Sequence, residues 1–242
     1  MTNQIRFPFN RKKIQGRFEI RAEKDKDEST IYLYDQIGVD WFGEGVSALD
    51  FVKELSGVTS SLIHLRINSP GGDVFEARAI QTALREHSSL VVAHIDGLAA
   101  SAATYVALGA DEIEMAEGAF FMIHNAWGLT VGNSTEMRAM ADMLDKMDAS
   151  IRTDYMAKTG KKEEEISQMM AAETWMTAQE ALDNGFIDRI AKDKKAKNQW
   201  DLTIYDKVPP ELLTKDEEKD EEKHGFDLKM MERRLNLIRK LA

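Results

Sequence analysis

The 242-residue sequence predicts an α/β layered protein, and three observations carry that reading. Between residues 30 and 116, stretches with strand-like patterning alternate with stretches that repeat apolar residues at helical spacing. One strand, "LVVAHIDG" at 90–97, is a continuous apolar run of the kind a parallel sheet buries on both faces. Glycine-containing turns, "SPGGD" at 69–73 and "DGLAAS" at 96–101, follow two of the strands.

Taken in order, the first dozen or so residues read as irregular, within an N-terminal arm assigned to 1–29. "TIYLYDQIG" (30–38) opens with β-branched and aromatic residues and reads as a strand. "SALDFVKELSG" (47–57) reads as a helix, with Leu49, Val52 and Leu55 on one face and Gly57 as its stop. "SLIHLRIN" (61–68) alternates Leu62, His64 and Arg66 with Ile63, Leu65 and Ile67, a strand. A helix runs from the SPGGD turn to about Glu86, with Ala77, Ile80 and Leu84 inward. After the 90–97 strand a short helix follows Ser101, and "EIEMAEGAFFMIHNA" (112–126) reads as two strands broken at Gly118. "NSTE" at 133–136 is a capping box. It opens a long helix over 134–158 in which Met137, Met140, Leu144, Met147, Ile151 and Tyr155 recur at 3–4 spacing, and Gly160 ends it. That stripe is either an ordinary core face or a surface buried against another subunit. "TAQE" (177–180) is a second capping box, Gly185 closes its helix, and "FIDRI" returns as a strand. Core signals stop near residue 205. Residues 206–242 read as a charged linker, "KDEEKDEEKH" at 215–224, and an amphipathic tail, "DLKMMERRLNLIRKLA" at 227–242.

Composition removes several function classes. The absence of cysteine excludes disulfides, thiol catalysis and cysteine-ligated metal centres. A net charge of −10 disfavours nonspecific binding to nucleic acid or anionic membrane by the chain as a whole. The polar start "MTNQIRFPFNRKK" has no apolar core of a secretory signal, and no apolar run approaches the roughly 18 residues of a membrane span. The expectation is a soluble, cytoplasmic protein.

The residues with chemical potential lie at the strand ends. A serine among alanines is commonly a packing residue. Ser101, however, follows a strand and precedes a helix, a turn that exposes a hydroxyl beside the free N–H groups of a helix start. The N–H of Ala102 is then a natural donor to a developing oxyanion. The SPGGD turn is either a tight turn and nothing more, or a place where glycine lets a backbone N–H approach a ligand. A serine nucleophile needs a base. Of the five histidines, His224 lies in the charged linker and His87 at a helix end, and both read as solvated. His64 and His94 lie within strands and read as structural. His124 ends the strand "FFMIH" and enters the loop "NAWG", where ligands of α/β sheets gather, so it is the candidate base.

Four segments, "INSPGGDVFEARAIQTAL", "DGLAASAATYVALGADEIEM", "FMIHNAWG" and "TWMTAQEALDNGFIDRI", resemble in order and spacing the serine peptidases of the ClpP family, over roughly residues 30–192. The resemblance implies a ClpP/crotonase-like layered α/β fold of repeated strand-strand-helix units with a projecting handle helix, here 134–158, on a peptidase domain spanning 30–205. It implies Ser101 as nucleophile, His124 as base, and Gly72 and Ala102 as oxyanion donors, with no metal or cofactor. The family's third triad member is an aspartate. Glu173 occupies that place here, and the alternative is a Ser-His dyad with Glu173 on the surface.

The stretches "IYLYDQIG" and "ETW", the unusual N-terminus and the acidic tail look like the ClpP-like head maturation proteases of tailed phages and prophages. The family resemblance implies a homo-oligomer with rings meeting through the handle helix, and the phage likeness implies capsid or scaffold proteins as substrates, cut in the host cytosol or within procapsids. The alternative within the family is a general peptidase fed by a Clp ATPase. Alternatives of another class are a crotonase-like acyl-CoA enzyme and an inactive assembly scaffold. A Ser-Lys peptidase is disfavoured because no lysine lies near the matching motifs.

Overall fold

The computed structural model describes residues 17–23, 27–39, 45–191, 202 and 205–212. The chain alternates strands and helices: β1 (Arg17–Glu23), β2 (Glu28–Tyr34), α1 (Ala48–Leu55), β3 (Leu62–Ser69), α2 (Val74–Glu86), β4 (Leu90–Ala100), α3 (Ala102–Ala107), β5 (Glu112–Ala116), β6 (Phe120–Ile123), α4 (Ser134–Thr159), α5 (Glu163–Ala171), β7 (Thr174–Thr177), α6 (Ala178–Asp183) and β8 (Arg189–Ala191). The main sheet runs β1-β2-β3-β4-β5-β8, antiparallel at the β1 edge and parallel elsewhere. The expected α/β class and strand–helix order are both present.

β4 is the strand on which the site is built. Its first half pairs in parallel with β5, from Val92↔Glu112 to Ile95↔Met115. Its last residues change partner and pair in parallel with β6, Leu98↔Phe120 to Ala100↔Met122. β6 in turn pairs antiparallel with β7. The strand thus changes partner along its length, and Ser101 follows the part that pairs with β6.

Apolar residues of alternate register meet the helices in one core: Ile63, Leu65 and Ile67 of β3, Ile80 and Leu84 of α2, and Phe51 and Leu55 of α1. The opposite face is polar. His64 Nδ1 lies 2.9 Å from His94 Nε2, and His94 Nδ1 lies 3.1 Å from a Glu114 oxygen. Arg66 pairs with Asp96, which also accepts from the Tyr34 hydroxyl. The reading of residues 90–97 as buried on both faces is therefore corrected: His94 and Asp96 face a half-buried polar ladder, where ion pairs and hydrogen bonds do what apolar packing does on the other side.

Three elements differ from the sequence reading. The arm assigned to 1–29 contains β1 and the start of β2. Phe18 and Ile20 of β1 pack against the core, and Phe18 lies 5.4 Å from the Phe51 ring. Between α4 and α6, α5 and β7 appear where no element was expected. The helix α4 matches its expected bounds, with the Asn133 capping box at one end and Gly160 in the left-handed conformation at the other. Its stripe divides. Ile151 and Tyr155 are buried in the core, Met140, Leu144 and Met147 are half-buried, and Met137 is 50% exposed, as is Met143 beside the stripe at 41%. A second unit begins at Pro209, of which Pro210–Leu212 form a short 3-10 turn. The charge run at 215–224, His224 and the amphipathic tail at 227–242 lie outside the described residues.

Candidate active site

Ser101 follows β4 directly and caps α3, with φ 53° and ψ −125°. Positive φ is rare for a residue with a Cβ and costs about 1–3 kcal/mol, so the surrounding structure must hold it. Three bonds do so. The Ser101 N–H donates to the Met122 carbonyl at 2.9 Å. The Ser101 carbonyl accepts from the Thr104 N–H at 3.0 Å and from its hydroxyl at 2.6 Å. Thr104 is itself tied at 2.6 Å to the hydroxyl of Tyr155, a fully buried side chain of α4. Ala102, Ala103 and Thr104 have no exposed surface, which accounts for the small residues around Ser101: the turn is pressed into the core with no room for larger side chains.

The strained turn presents the Ser101 hydroxyl 2.7 Å from His124 Nε2. His124 follows β6, so the two residues extend from the ends of paired strands. Burial holds the His124 imidazole below its usual 6.5, and the nearby Glu173 carboxylate opposes that shift. The imidazole is therefore neutral at pH 7 and able to accept a proton. The loop leaving His124 is anchored by Asp148 of α4, whose carboxylate accepts the Ala126 N–H at 2.7 Å.

The SPGGD turn packs on the serine turn. A Cβ at Gly71 (φ +93°) would lie 2.5 Å from the Ala100 carbonyl oxygen and 2.8 Å from Ser101 Cβ. Gly72 (φ +146°) leaves even less space, since a Cβ there would lie 2.0 Å from the Ile37 carbonyl oxygen. Ile37 bonds the flanking residues, its N–H to Gly71 and its carbonyl to the Asp73 N–H, both at 2.9 Å. That pattern leaves the Gly72 N–H on the other edge of the chain. Among the described residues no acceptor takes the N–H of Gly72 or of Ala102.

Glu173 lies near His124 but is bonded elsewhere. Its Oε1 accepts the Trp175 indole N–H at 3.0 Å and the Lys207 amide at 2.7 Å, and its Oε2 accepts the Asp206 amide at 3.1 Å. Among the described residues no hydrogen bond joins it to His124. Its backbone is also unusual, with φ 50°. The structure thus brings Ser101 and His124 into contact, sets the Gly71–Gly72 turn against Ser101 and Ala102, and leaves Glu173 close but turned away.

Sequence reasoning missed Tyr205. Its ring meets His124 edge-on at 5.4 Å and Trp175 at 5.7 Å, and its hydroxyl donates to the Pro70 carbonyl in the SPGGD turn. The available signal was a short apolar cluster, Leu202, Ile204 and Tyr205, reappearing after the charged run from Lys192.

Comparisons with known proteins identify the family and the fold. The family model described as Clp protease matches residues 21–194. The ATP-dependent Clp protease proteolytic subunit 2 of Treponema denticola is 30% identical over 135 residues, 55% of this chain and 68% of that protein. The proteolytic subunit of Streptococcus salivarius is 32% identical over 139 residues, 56% of this chain and 71% of its own length. The proteolytic subunit 1 of Prochlorococcus marinus is 27% identical over 173 residues, 71% of this chain and 87% of that protein. A solved ClpP1 mutant from Listeria monocytogenes superposes with a TM-score of 0.59 at 24% identity, covering 68% of this chain and 92% of its own, which shows the shared fold. With its matched span running from β1 past β8, this chain belongs to the Clp protease family of serine peptidases.

Proposed function

We propose that the chain is a serine endopeptidase in which Ser101 is the nucleophile and His124 the general base. The contact that carries this reading is the 2.7 Å approach of the Ser101 hydroxyl to His124 Nε2, made by a serine held at positive φ. His124 takes the hydroxyl proton as Ser101 attacks the peptide carbonyl, then protonates the leaving amine. The N–H groups of Gly72 and Ala102 receive the negative charge that develops on the carbonyl oxygen. Glu173 is the third member, orienting the imidazole and stabilising its charged form once its carboxylate reaches Nδ1.

A fluorophosphonate probe tests the reading. Labelling should map to Ser101 and disappear in His124→Ala. A crotonase-like enzyme, which works without an activated serine, would take no label, and an inactive scaffold would label no faster than free serine.

For the biological setting, we propose limited processing of capsid and scaffold proteins by a cytoplasmic homo-oligomer. Glutamate at the third position and the acidic extension beyond residue 205 support it. The relatives' names, "ATP-dependent", favour the second setting, in which a Clp ATPase feeds the peptidase. Cleavage of a folded capsid or scaffold protein without an ATPase supports the first. Hydrolysis confined to short peptides until a Clp ATPase and ATP are added supports the second.

A further inference from the structure

The proposed machinery leaves one set of contacts unexplained. Residues 205–207 come back across the site from a sequence distance of 30 residues or more, and every one of them is bonded to it. Tyr205, only 7% exposed, stacks edge-on over His124 and reaches the Pro70 carbonyl beside the oxyanion turn. The amides of Asp206 and Lys207 both donate to Glu173, and the Lys207 ammonium donates to the Ala172 carbonyl. These two amides and the Trp175 indole give Glu173 three donors, and a carboxylate so supplied has little reason to turn toward an imidazole. Burial raises the Tyr205 phenol well above its ordinary range, with the neighbouring Ser101 hydroxyl opposing, so the group stays a neutral donor at every working pH.

We propose that residues 205–207 are an autoinhibitory latch: Tyr205 covers the Ser101–His124 pair while the Asp206 and Lys207 amides hold the Glu173 carboxylate away from His124. This rests on the serine peptidase reading above. Release of the latch opens the site and frees Glu173 to accept from His124 Nδ1. The closed form is the ground state, and the working form is its minor partner.

The test is the rate of Ser101 labelling by a fluorophosphonate in the full-length chain. Tyr205→Ala removes the cover, and Lys207→Pro removes one amide donor to Glu173 without touching the ring. Each should label at least about tenfold faster than the unaltered chain, because a working form populated at a tenth or less becomes dominant. Tyr205→Phe, which keeps the ring and loses only the hydroxyl's contacts with Pro70 and Ser101, should rise by less. Thermal melts identify any variant that has lost its fold.

The pH profile separates release from simple loosening. In Tyr205→Ala the acid limb of labelling should move to higher pH, because a carboxylate bonded to the imidazole favours its charged form. Adding Glu173→Gln should take away the part of that upward move that comes from the carboxylate. Equal or slower labelling of folded Tyr205→Ala and Lys207→Pro overturns the latch. So does an acid limb that Glu173→Gln leaves where Tyr205→Ala put it. Absence of Ser101 labelling in every variant and in the unaltered chain overturns the peptidase reading itself, and the latch falls with it.

Discussion

Ser101 and His124 face each other at 2.7 Å because Ala100 and Met122 are register partners in parallel strands. One residue beyond Ala100 the chain turns into α3, and two residues beyond Met122 it turns into a loop. Parallel strands send both exits to the same edge of the sheet. The pair is therefore positioned by sheet register and not by the length of any side chain.

Ser101→Ala and His124→Ala should each lower peptide hydrolysis by about four orders of magnitude or more, and the double variant should be little worse than either. Both changes keep the fold, since Ser101 is held by its backbone N–H and carbonyl and not by its hydroxyl. Steady-state hydrolysis of a fluorogenic peptide checks this, and near-normal turnover by either single variant would exclude the mechanism.

The pH dependence follows from the sign of the His124 shift. Burial lowers its pKa below 6.5, so the base is already neutral at pH 7 and stays so into mildly acidic solution. Log kcat/KM should be flat on descending from neutrality, and should fall only once pH drops through the depressed value. Glu173 raises that value, so Glu173→Gln should move the acid limb to still lower pH. A limb at or above 6.5 in the unaltered chain, or an upward move in Glu173→Gln, would contradict the electrostatics described above.

The parts of this site that could be read in the sequence are those built from local signals. The Asn133 box and Gly160 mark α4 because caps are made within one turn of the helix they stop. Ser101 and His124 stand at strand ends that periodicity locates. The β1 strand escaped because its alternation of Phe18, Ile20 and Ala22 with charged residues is short, and its support comes from pairing with β2 and packing on α1. The polar face of β4 was hidden for a related reason: His94 and Asp96 look like interruptions of an apolar run until His64, Arg66 and Glu114 stand beside them. Glu173 was located by resemblance alone. Its partners come from residues 206 and 207, and no local pattern announces a contact across that distance.

Asp148 ties the loop after His124 to α4, and its loss should be felt in both stability and rate. It is 9% exposed and accepts the Ala126 N–H two residues after His124. Asp148→Ala leaves that half-buried donor without its acceptor, at a cost of about 1 kcal/mol. Asp148→Asn retains an acceptor oxygen and should recover most of the loss. Urea denaturation midpoints measure the first effect. The second is read as a fall in kcat for Asp148→Ala with little change in KM, since the loop positions the base and not the bound peptide.

The outer half of α4 gives the last prediction, that of assembly. Met137 and Met143 are exposed on a helix whose inner half, at Ile151 and Tyr155, is already committed to the core. Gly128 of the neighbouring loop approaches Met140 and Leu144, and Trp127, Leu129 and Val131 of that same loop are 56%, 61% and 85% exposed. Apolar surface of this extent, on one projecting helix and the loop beside it, is what a contact between subunits covers. Met side chains suit such a contact because they adapt to an irregular partner. Met147 is a poor place to probe it, since that side chain packs against the monomer's own core. Met137→Glu combined with Met143→Glu places charge on the exposed outer half of the helix, at side chains that are not buried in the monomer's core. Sedimentation velocity should then show the unaltered chain as an oligomer and the double variant as smaller species with an unchanged thermal melt of the monomer fold. A monomeric unaltered chain at micromolar concentration, or a double variant of unchanged mass, would show that this face meets something other than a second copy.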